Sequence, residues 1–171
     1  MIRAFNVKYL FFQFFGLGMI IFLLLQPKSL KKKMPVYTWE GVIAQSDSYS
    51  CGAAALAMVF VKHDLKVPLM EIERAIVKPW KGCTMLDLKS YAQMHGINST
   101  GWELRFEELR KINMPSIVSV RGSHFLVIDS INKDVVYFRD PLRGSSTISR
   151  DDFLVVWDRN AIEFSVSIEG K

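Results

Sequence analysis

The chain has 171 residues, half of them hydrophobic, and a formal net charge of +5. The basic excess lies at the N-terminus, because residues 1–33 hold six Lys or Arg and no acid, while residues 34–171 carry a net charge of −1. A remainder so near neutrality lacks the basic face of a nucleic-acid binder, and two cysteines exclude a disulfide-rich scaffold. The length allows one domain with a modest core.

The first predicted element is a membrane anchor. Residues 9–25 are apolar apart from Gln13, and a helix of these 17 residues would reach roughly 25 Å, at the short end of a bilayer span. A cleaved signal peptide would end at a small-residue cleavage site, and residues 24–27, Leu-Leu-Gln-Pro, do not provide one. We therefore interpret residues 1–33 as an uncleaved anchor with basic flanks, and residues 34–171 as the folded domain. Lysines on both sides of the apolar stretch leave its orientation open.

Helices are predicted next along the chain. Ser50 is a plausible N-cap for a helix from Cys51 to Val61, whose almost continuous apolar composition places it inside the domain. Thr84 and Gly96 are the residue types that begin and end helices. Further helices are predicted over Leu69–Ile76, Thr84–Met94 and Phe106–Ile112.

The pattern changes to strands after Pro115. Val, Ile, Phe and Tyr are enriched in the segments that follow, as they are in strands. The predicted strands are Ser116–Arg121, His124–Ile131, Val135–Arg139 and Ala161–Ile168, with a hairpin connection over Ser130–Asp134 and a short helix over Asp151–Trp157. Helices followed by antiparallel strands predict an α+β domain.

A candidate nucleophile stands at the start of the first of these helices. The helix dipole at Cys51 and a nearby imidazolium would both stabilise a thiolate. Gly52 is expected to leave the approach to the sulfur open. Gln45, six residues before the cysteine, could add its amide to the Cys51 backbone N–H and form an oxyanion hole.

His124 and Asp140 supply the other parts that a cysteine peptidase needs. The turn at 121–123 lets a strand begin at His124, the candidate base. In an antiparallel hairpin, a residue entering one strand lies near a residue leaving its partner, so the Asp140 carboxylate can orient the ring. Each of these residues alone is commonly structural, whereas their order and spacing together indicate nucleophilic catalysis.

The sequence resembles a known family in several stretches: Gln45 to Met58, Gly82 to Gly96, His124 to Ile128, and Asp140-Pro141. Over roughly residues 37–160 it is similar to the bacteriocin-processing, double-glycine leader peptidases, which are papain-like cysteine peptidases. The resemblance implies a papain-like α+β fold with a helical N-terminal half packed on an antiparallel sheet, preceded here by one transmembrane helix.

The resemblance also implies roles for four residues. Cys51 would be the nucleophile, His124 the general base, Asp140 its orienting partner and Gln45 the oxyanion donor. The implied substrate is a peptide or protein precursor whose leader ends in two small residues, often Gly-Gly, and no cofactor is expected. Ser50 stands where family members often carry an Asp beside the cysteine.

The best-known members fuse the peptidase to a transporter with several membrane spans and an ATPase. Here the sequence has one apolar stretch of that kind and no G-x-x-x-x-G-K-[ST] phosphate loop. We therefore expect no direct ATP binding, a separate export machinery as partner, and a single-pass location in the bacterial inner membrane. The side that holds the catalytic domain stays open.

Two other functions stay open at the level of sequence. A papain-like transamidase or amidase would keep the site and change the acceptor, and a non-catalytic docking domain would hold a leader beside a secretion channel. The three histidines lack ligand-like spacing, so no metal site is predicted. Cys83 is interpreted as a small buried hydrophobe, with a redox partner for Cys51 or a second reactive thiol as alternatives.

Overall fold

The computed structural model describes residues 38–166, so the predicted anchor and the last five residues lie outside the described residues. Within this part, the helices are α1 (Cys51–Lys62), α2 (Leu69–Ile76), α3 (Met85–Met94), α4 (Phe106–Leu109) and α5 (Arg150–Val156). The strands are β1 (Ile97–Glu103), β2 (Ser116–Val120), β3 (His124–Asn132), β4 (Val135–Asp140), β5 (Gly144–Ser149) and β6 (Trp157–Val166). None of the helices between residues 38 and 166 has the length and apolar character that a bilayer span requires.

The strands of this part form one sheet in the order β1-β6-β2-β3-β4-β5, and every neighbouring pair is antiparallel. Strand β3 begins with His124 opposite Val120, and β4 ends with Asp140 opposite Gly144. The α+β class and the antiparallel sheet are therefore confirmed. The hairpin between β3 and β4 brings the start of the first strand and the end of the second to the same edge of the sheet, which positions the site.

The sheet separates two apolar clusters. Successive residues of a strand point to opposite faces, so Phe125 and Val127 of β3 join the cluster around helix α1, while Leu126 and Ile128 join the cluster beneath α4 and α5. Helix α1 is buried from its first residue to Phe60, as its apolar composition predicts. A buried helix packed on the sheet fixes its N-terminus firmly, because interiors are close-packed.

The predicted elements differ from the observed ones mainly at the edges of the sheet. Strands β1 and β5 were missed, since their sequences, INSTGWE and GSSTIS, are polar and rich in small residues. Strand β6 begins at Trp157, four residues before the predicted start. The β3–β4 connection is shorter than predicted, because Asn132 already pairs with Val135.

Strand β5 begins at a glycine that its neighbours require. Gly144 has φ +106°, in the region that favours glycine, and a Cβ there would collide with the backbone carbonyl of Thr38. We expect Gly144→Ala to lower the free energy of unfolding by about 1–3 kcal/mol, measured by chemical denaturation. Gly101→Ala is the matched control, because a Cβ at Gly101 would have open space around it. Equal losses in the two variants would contradict the role of the Thr38 contact.

Candidate active site

Cys51 is the first residue of helix α1 and is 6% exposed. The first N–H groups of a helix have no partner within it, and the helix dipole adds positive potential at that end. Both effects favour negative charge on the Cys51 sulfur. The cysteine thus stands at the positive end of the helix dipole.

Ser50 occupies the predicted N-cap position of helix α1. Its Oγ accepts hydrogen bonds from the backbone N–H groups of Ser46 and Asp47, each at 3.0 Å, and makes no bond to helix α1. The hydroxyl therefore closes the loop that leads from Gln45 to Cys51, because that loop offers two backbone donors at short range.

Gly52 has a packing role that the sequence did not predict. A Cβ at this position would collide with Cys83 Sγ and lie 3.0 Å from the Phe125 ring. The missing side chain therefore makes room for the packing of Cys83 and Phe125 against the start of α1.

Cys83 lies against this first turn and is free, as is Cys51. Burial, together with the charges of Cys51 and Asp87, raises the pKa of the Cys83 thiol to about 12. A thiol with that pKa stays protonated at neutral pH and is a poor nucleophile. The structure favours the interpretation of Cys83 as a small packed hydrophobe.

His124 and Asp140 meet as the hairpin geometry predicts. His124 Nε2 lies 2.8 Å from Asp140 Oδ1, and the carboxylate is almost fully buried. Asp140 Oδ1 also accepts the Leu142 backbone N–H at 2.8 Å, which fixes the carboxylate from a second direction. The ring is thereby held through one nitrogen, leaving Nδ1 for another partner.

Cys51 forms a hydrogen bond with the same His124 ring. Burial by itself lowers the pKa of His124, but hydrogen bonds to Asp140 and Cys51, and the charges of these two groups, raise it to about 9. The structure thus brings Cys51, His124 and Asp140 together, with the imidazole between the sulfur and the carboxylate. A thiol at a helix N-terminus beside an imidazole that a carboxylate orients is the arrangement that nucleophilic catalysis by cysteine requires.

Gln45 lines a cavity of about 400 Å³ together with His124 and Asp140. Its Nε2 donates to the Asp47 carbonyl at 2.6 Å, which fixes the plane of the amide, and its backbone N–H donates to the Pro141 carbonyl at 3.0 Å. A side-chain amide nitrogen carries two N–H groups, so one bond to Asp47 still leaves a donor for an oxyanion.

The titration of His124 is directly testable. We expect its ring to titrate near pH 9 by NMR, and Asp140→Ala to lower that pKa because the carboxylate bond is lost. Since the folded pKa lies above the ordinary 6.5, the protonated ring stabilises the fold fully below pH 6.5, and this stabilisation is lost as the pH rises through about 9. An unchanged pKa in the Asp140 variant would contradict the pairing.

Among residues 38–166, no group of three or more His, Cys, Asp or Glu side chains is placed to hold a metal ion.

Sequence reasoning missed Arg139, which precedes Asp140 and binds the Asp129 carboxylate with both Nε and Nη2. Arg139 follows four apolar or aromatic residues of β4, and a charge at that place was the signal that could have identified it.

A profile of the peptidase C39 family matches residues 39–168. The chain is 35% identical over 141 residues to the probable functional amyloid protease FapD of Pseudomonas fluorescens, covering 75% of this chain and 61% of FapD. It is 30% identical over 111 residues to the colicin V secretion/processing ATP-binding protein CvaB of Escherichia coli, covering 65% of this chain and 16% of CvaB. The chain thus spans about six tenths of the length of FapD and a much smaller share of CvaB.

Solved structures agree with these matches. A double glycine motif protease from an AMS/PCAT transporter, solved in complex with the leader peptide, superposes with a TM-score of 0.71 at 26% identity, covering 78% of this chain and 98% of that one. The peptidase domain of Streptococcus ComA, a bi-functional ABC transporter, superposes with a TM-score of 0.68 at 20% identity, covering 74% and 98%. The second likeness shows a shared fold.

Proposed function

The chain belongs to the peptidase C39 family, and from that premise we propose that it is a cysteine endopeptidase that removes a double-glycine-type leader from an exported peptide or protein. The observation that carries this proposal is the His124 ring between the buried Asp140 carboxylate, at 2.8 Å, and the Cys51 thiol at a helix N-terminus. That arrangement supplies the nucleophile, the base and the orienting group of a peptidase.

The reaction follows from the roles that we assign. The Cys51 thiolate attacks the carbonyl carbon of the scissile bond, and the backbone N–H of Cys51 and the Gln45 amide stabilise the resulting oxyanion. The His124 imidazolium gives its proton to the leaving amine as the carbon–nitrogen bond breaks, leaving an acyl-enzyme on Cys51. His124 then takes a proton from water, which hydrolyses the thioester and releases the leader with a free carboxyl group.

The substrate and the partners are inferred from the relatives. The solved double glycine motif protease holds a leader peptide, which supports a leader-bearing precursor as the substrate here. CvaB is named as a secretion/processing ATP-binding protein, which supports export as the context. Our proposal places the transport step in a separate export machinery and attaches the peptidase to the bacterial inner membrane through residues 1–33.

The likeness to FapD favours a second candidate substrate. At 35% identity over three quarters of this chain, FapD is more similar than CvaB, and its name describes a probable functional amyloid protease. A precursor of a functional amyloid is therefore the alternative to a bacteriocin-like peptide. Both substrates leave the chemistry at Cys51 unchanged.

The test uses the full chain in lipid nanodiscs with two synthetic precursors that differ only at the end of the leader, Gly-Gly in one and Val-Val in the other. We expect mass spectrometry to show cleavage after the second glycine, with one water added across the products, and no cleavage of the Val-Val peptide. A product carrying an added amine would indicate a transamidase. Binding of the Gly-Gly peptide without any cleavage would indicate a docking domain, and either result would overturn the proposal.

A further inference from the structure

The segment that carries Gln45 is attached to the sheet at several points. At its start, Thr38 forms a bridge with Ser145 of β5, and the Thr38 N–H donates to the Ser145 carbonyl at 2.9 Å. At its end, the Gln45 N–H donates to the Pro141 carbonyl at 3.0 Å. The segment 38–45 therefore runs beside the β4–β5 turn, which immediately follows Asp140.

Arg139 provides an attachment between these two ends. Its Nη1 donates to the Gly41 carbonyl at 3.1 Å, a contact between residues 98 positions apart in the sequence. Gly41 has φ +67° and lies four residues before Gln45. The Arg139 side chain is only 15% exposed, so its surroundings hold it in place.

A bulge in strand β3 supplies the partner of Arg139. The register of β3 against β4 shifts between Ile128 and Ser130, and Asp129 is the extra residue. The Asp129 carboxylate accepts from Arg139 Nε at 2.9 Å and from Nη2 at 2.7 Å. Bulges re-aim side chains, and a two-point bond of this kind fixes the plane of the guanidinium group.

Asp129 thus orients the Arg139 guanidinium group through Nε and Nη2, and the remaining nitrogen, Nη1, donates to the Gly41 carbonyl. We propose that Arg139 is a positioning residue, which acts through the segment 41–45 to set the place of the Gln45 amide relative to Cys51 and His124. Neighbouring residues of a strand point to opposite faces, so Arg139 and Asp140 leave β4 on different sides. One strand end therefore positions two parts of the site: the base through Asp140 and the oxyanion donor through Arg139.

This inference rests on the proposed function, because Gln45 matters only if an oxyanion forms. The misplacement of a catalytic group by about 1 Å can cost up to ~10²-fold in rate. We expect Arg139→Ala to lower kcat by about 10- to 100-fold with KM little changed, since no substrate contact is removed. Gln45→Ala should lower kcat by about 100-fold, as the loss of one oxyanion donor does.

The double variant distinguishes positioning from a general structural role. The kinetic constants of the full chain are measured with a Gly-Gly precursor peptide for the wild type, the two single variants and Arg139→Ala/Gln45→Ala. If Arg139 acts through Gln45, its replacement costs less than about threefold once Gln45 is absent. A full loss in that background, or an unchanged kcat in Arg139→Ala, would overturn the inference.

Two more variants test the partner of Arg139 and provide a control. Asp129→Asn retains the shape of the partner and removes its charge, so a smaller loss of kcat in the same direction is expected. This variant also serves as the test if Arg139→Ala folds poorly. Arg105→Ala is the control, because Arg105 forms an equally short 2.7 Å pair with Glu108 on an exposed helix end. A comparable loss in the control would attribute the effect to charge removal in general.

Hydrogen exchange measures how firmly the segment 41–45 is held, and it needs no substrate. We expect the Gln45 backbone N–H, which is bonded to Pro141, to exchange at least about tenfold faster in Arg139→Ala, while amides of helix α1 keep their protection. If the wild type cleaves no peptide, the proposed function fails, and this measurement still decides whether Arg139 holds the segment. Unchanged exchange at Gln45 would refute the positioning role.

Discussion

We expect the replacement of Cys51 by Ala to lower kcat for the proposed precursor cleavage by at least about 10⁴-fold, because no other group would form the acyl-enzyme. The fold is expected to persist, since Ala is a good helix former and the removed sulfur is one atom at the start of α1. We expect a loss of only about 1 kcal/mol in the free energy of unfolding, the usual size for such a change. Cleavage is followed by mass spectrometry and stability by chemical denaturation.

Cys83→Ala is the matched control for this variant. Cys83 packs on the first turn of the same helix, and its thiol has a pKa of about 12, so it offers no thiolate at neutral pH. Its replacement should leave cleavage near the wild-type rate. Persistent cleavage by the Cys51 variant, or a loss in both variants, would contradict the assignment of the nucleophile.

We expect the replacement of His124 by Ala to lower kcat by about 10³- to 10⁴-fold, the contribution of a residue that acts as both base and acid. The loss has two causes: the leaving amine receives no proton, and the thiolate loses the imidazolium that stabilises it. The double variant Cys51→Ala/His124→Ala should be no slower than Cys51→Ala alone, because the two residues act as a unit.

His63 provides the control for the histidine variant. It follows helix α1 as its C-cap, and burial together with the neighbouring Lys62 lowers the pKa of its ring. His63→Ala should leave cleavage unchanged while removing a ring of the same kind. A His124 variant that cleaves as fast as the His63 variant would refute the role of His124.

Local sequence patterns were sufficient to predict the parts of the site that depend on short-range structure. A run of apolar residues after Ser50 predicts a buried helix, and Cys51 is its first residue. Strand and turn signals between residues 116 and 140 predict a hairpin, and the antiparallel register then places Asp140 beside His124. Both inferences need only periodicity and hairpin geometry.

Long-range contacts could not be predicted from the same patterns. Strand β1 pairs with β6 at the far end of the chain, and its polar sequence gives no strand signal of its own. The packing of Cys83 and Phe125 on Gly52 joins three separate segments, so the reason for that glycine is visible only in the structure.

The support of Gln45 illustrates the same limit. The spacing between Gln45 and Cys51 suggested an oxyanion donor, but the attachment of its segment depends on Arg139 and on a bulge at Asp129. Bulges arise from the pairing of two strands and have no reliable local signature apart from their effect on register. The contact between Arg139 and the Gly41 carbonyl is therefore visible only in the structure.

We expect Cys51, His124 and Asp140 to work as one catalytic unit. The most direct test is to treat the full chain with a leader-derived peptide that ends in Gly-Gly and carries an acyloxymethyl ketone, and to locate the adduct by peptide mapping. We predict one adduct, on Cys51, which forms in the wild type and is nearly absent in His124→Ala. An adduct on Cys83, or equally fast labelling of Cys51 without His124, would contradict the claim.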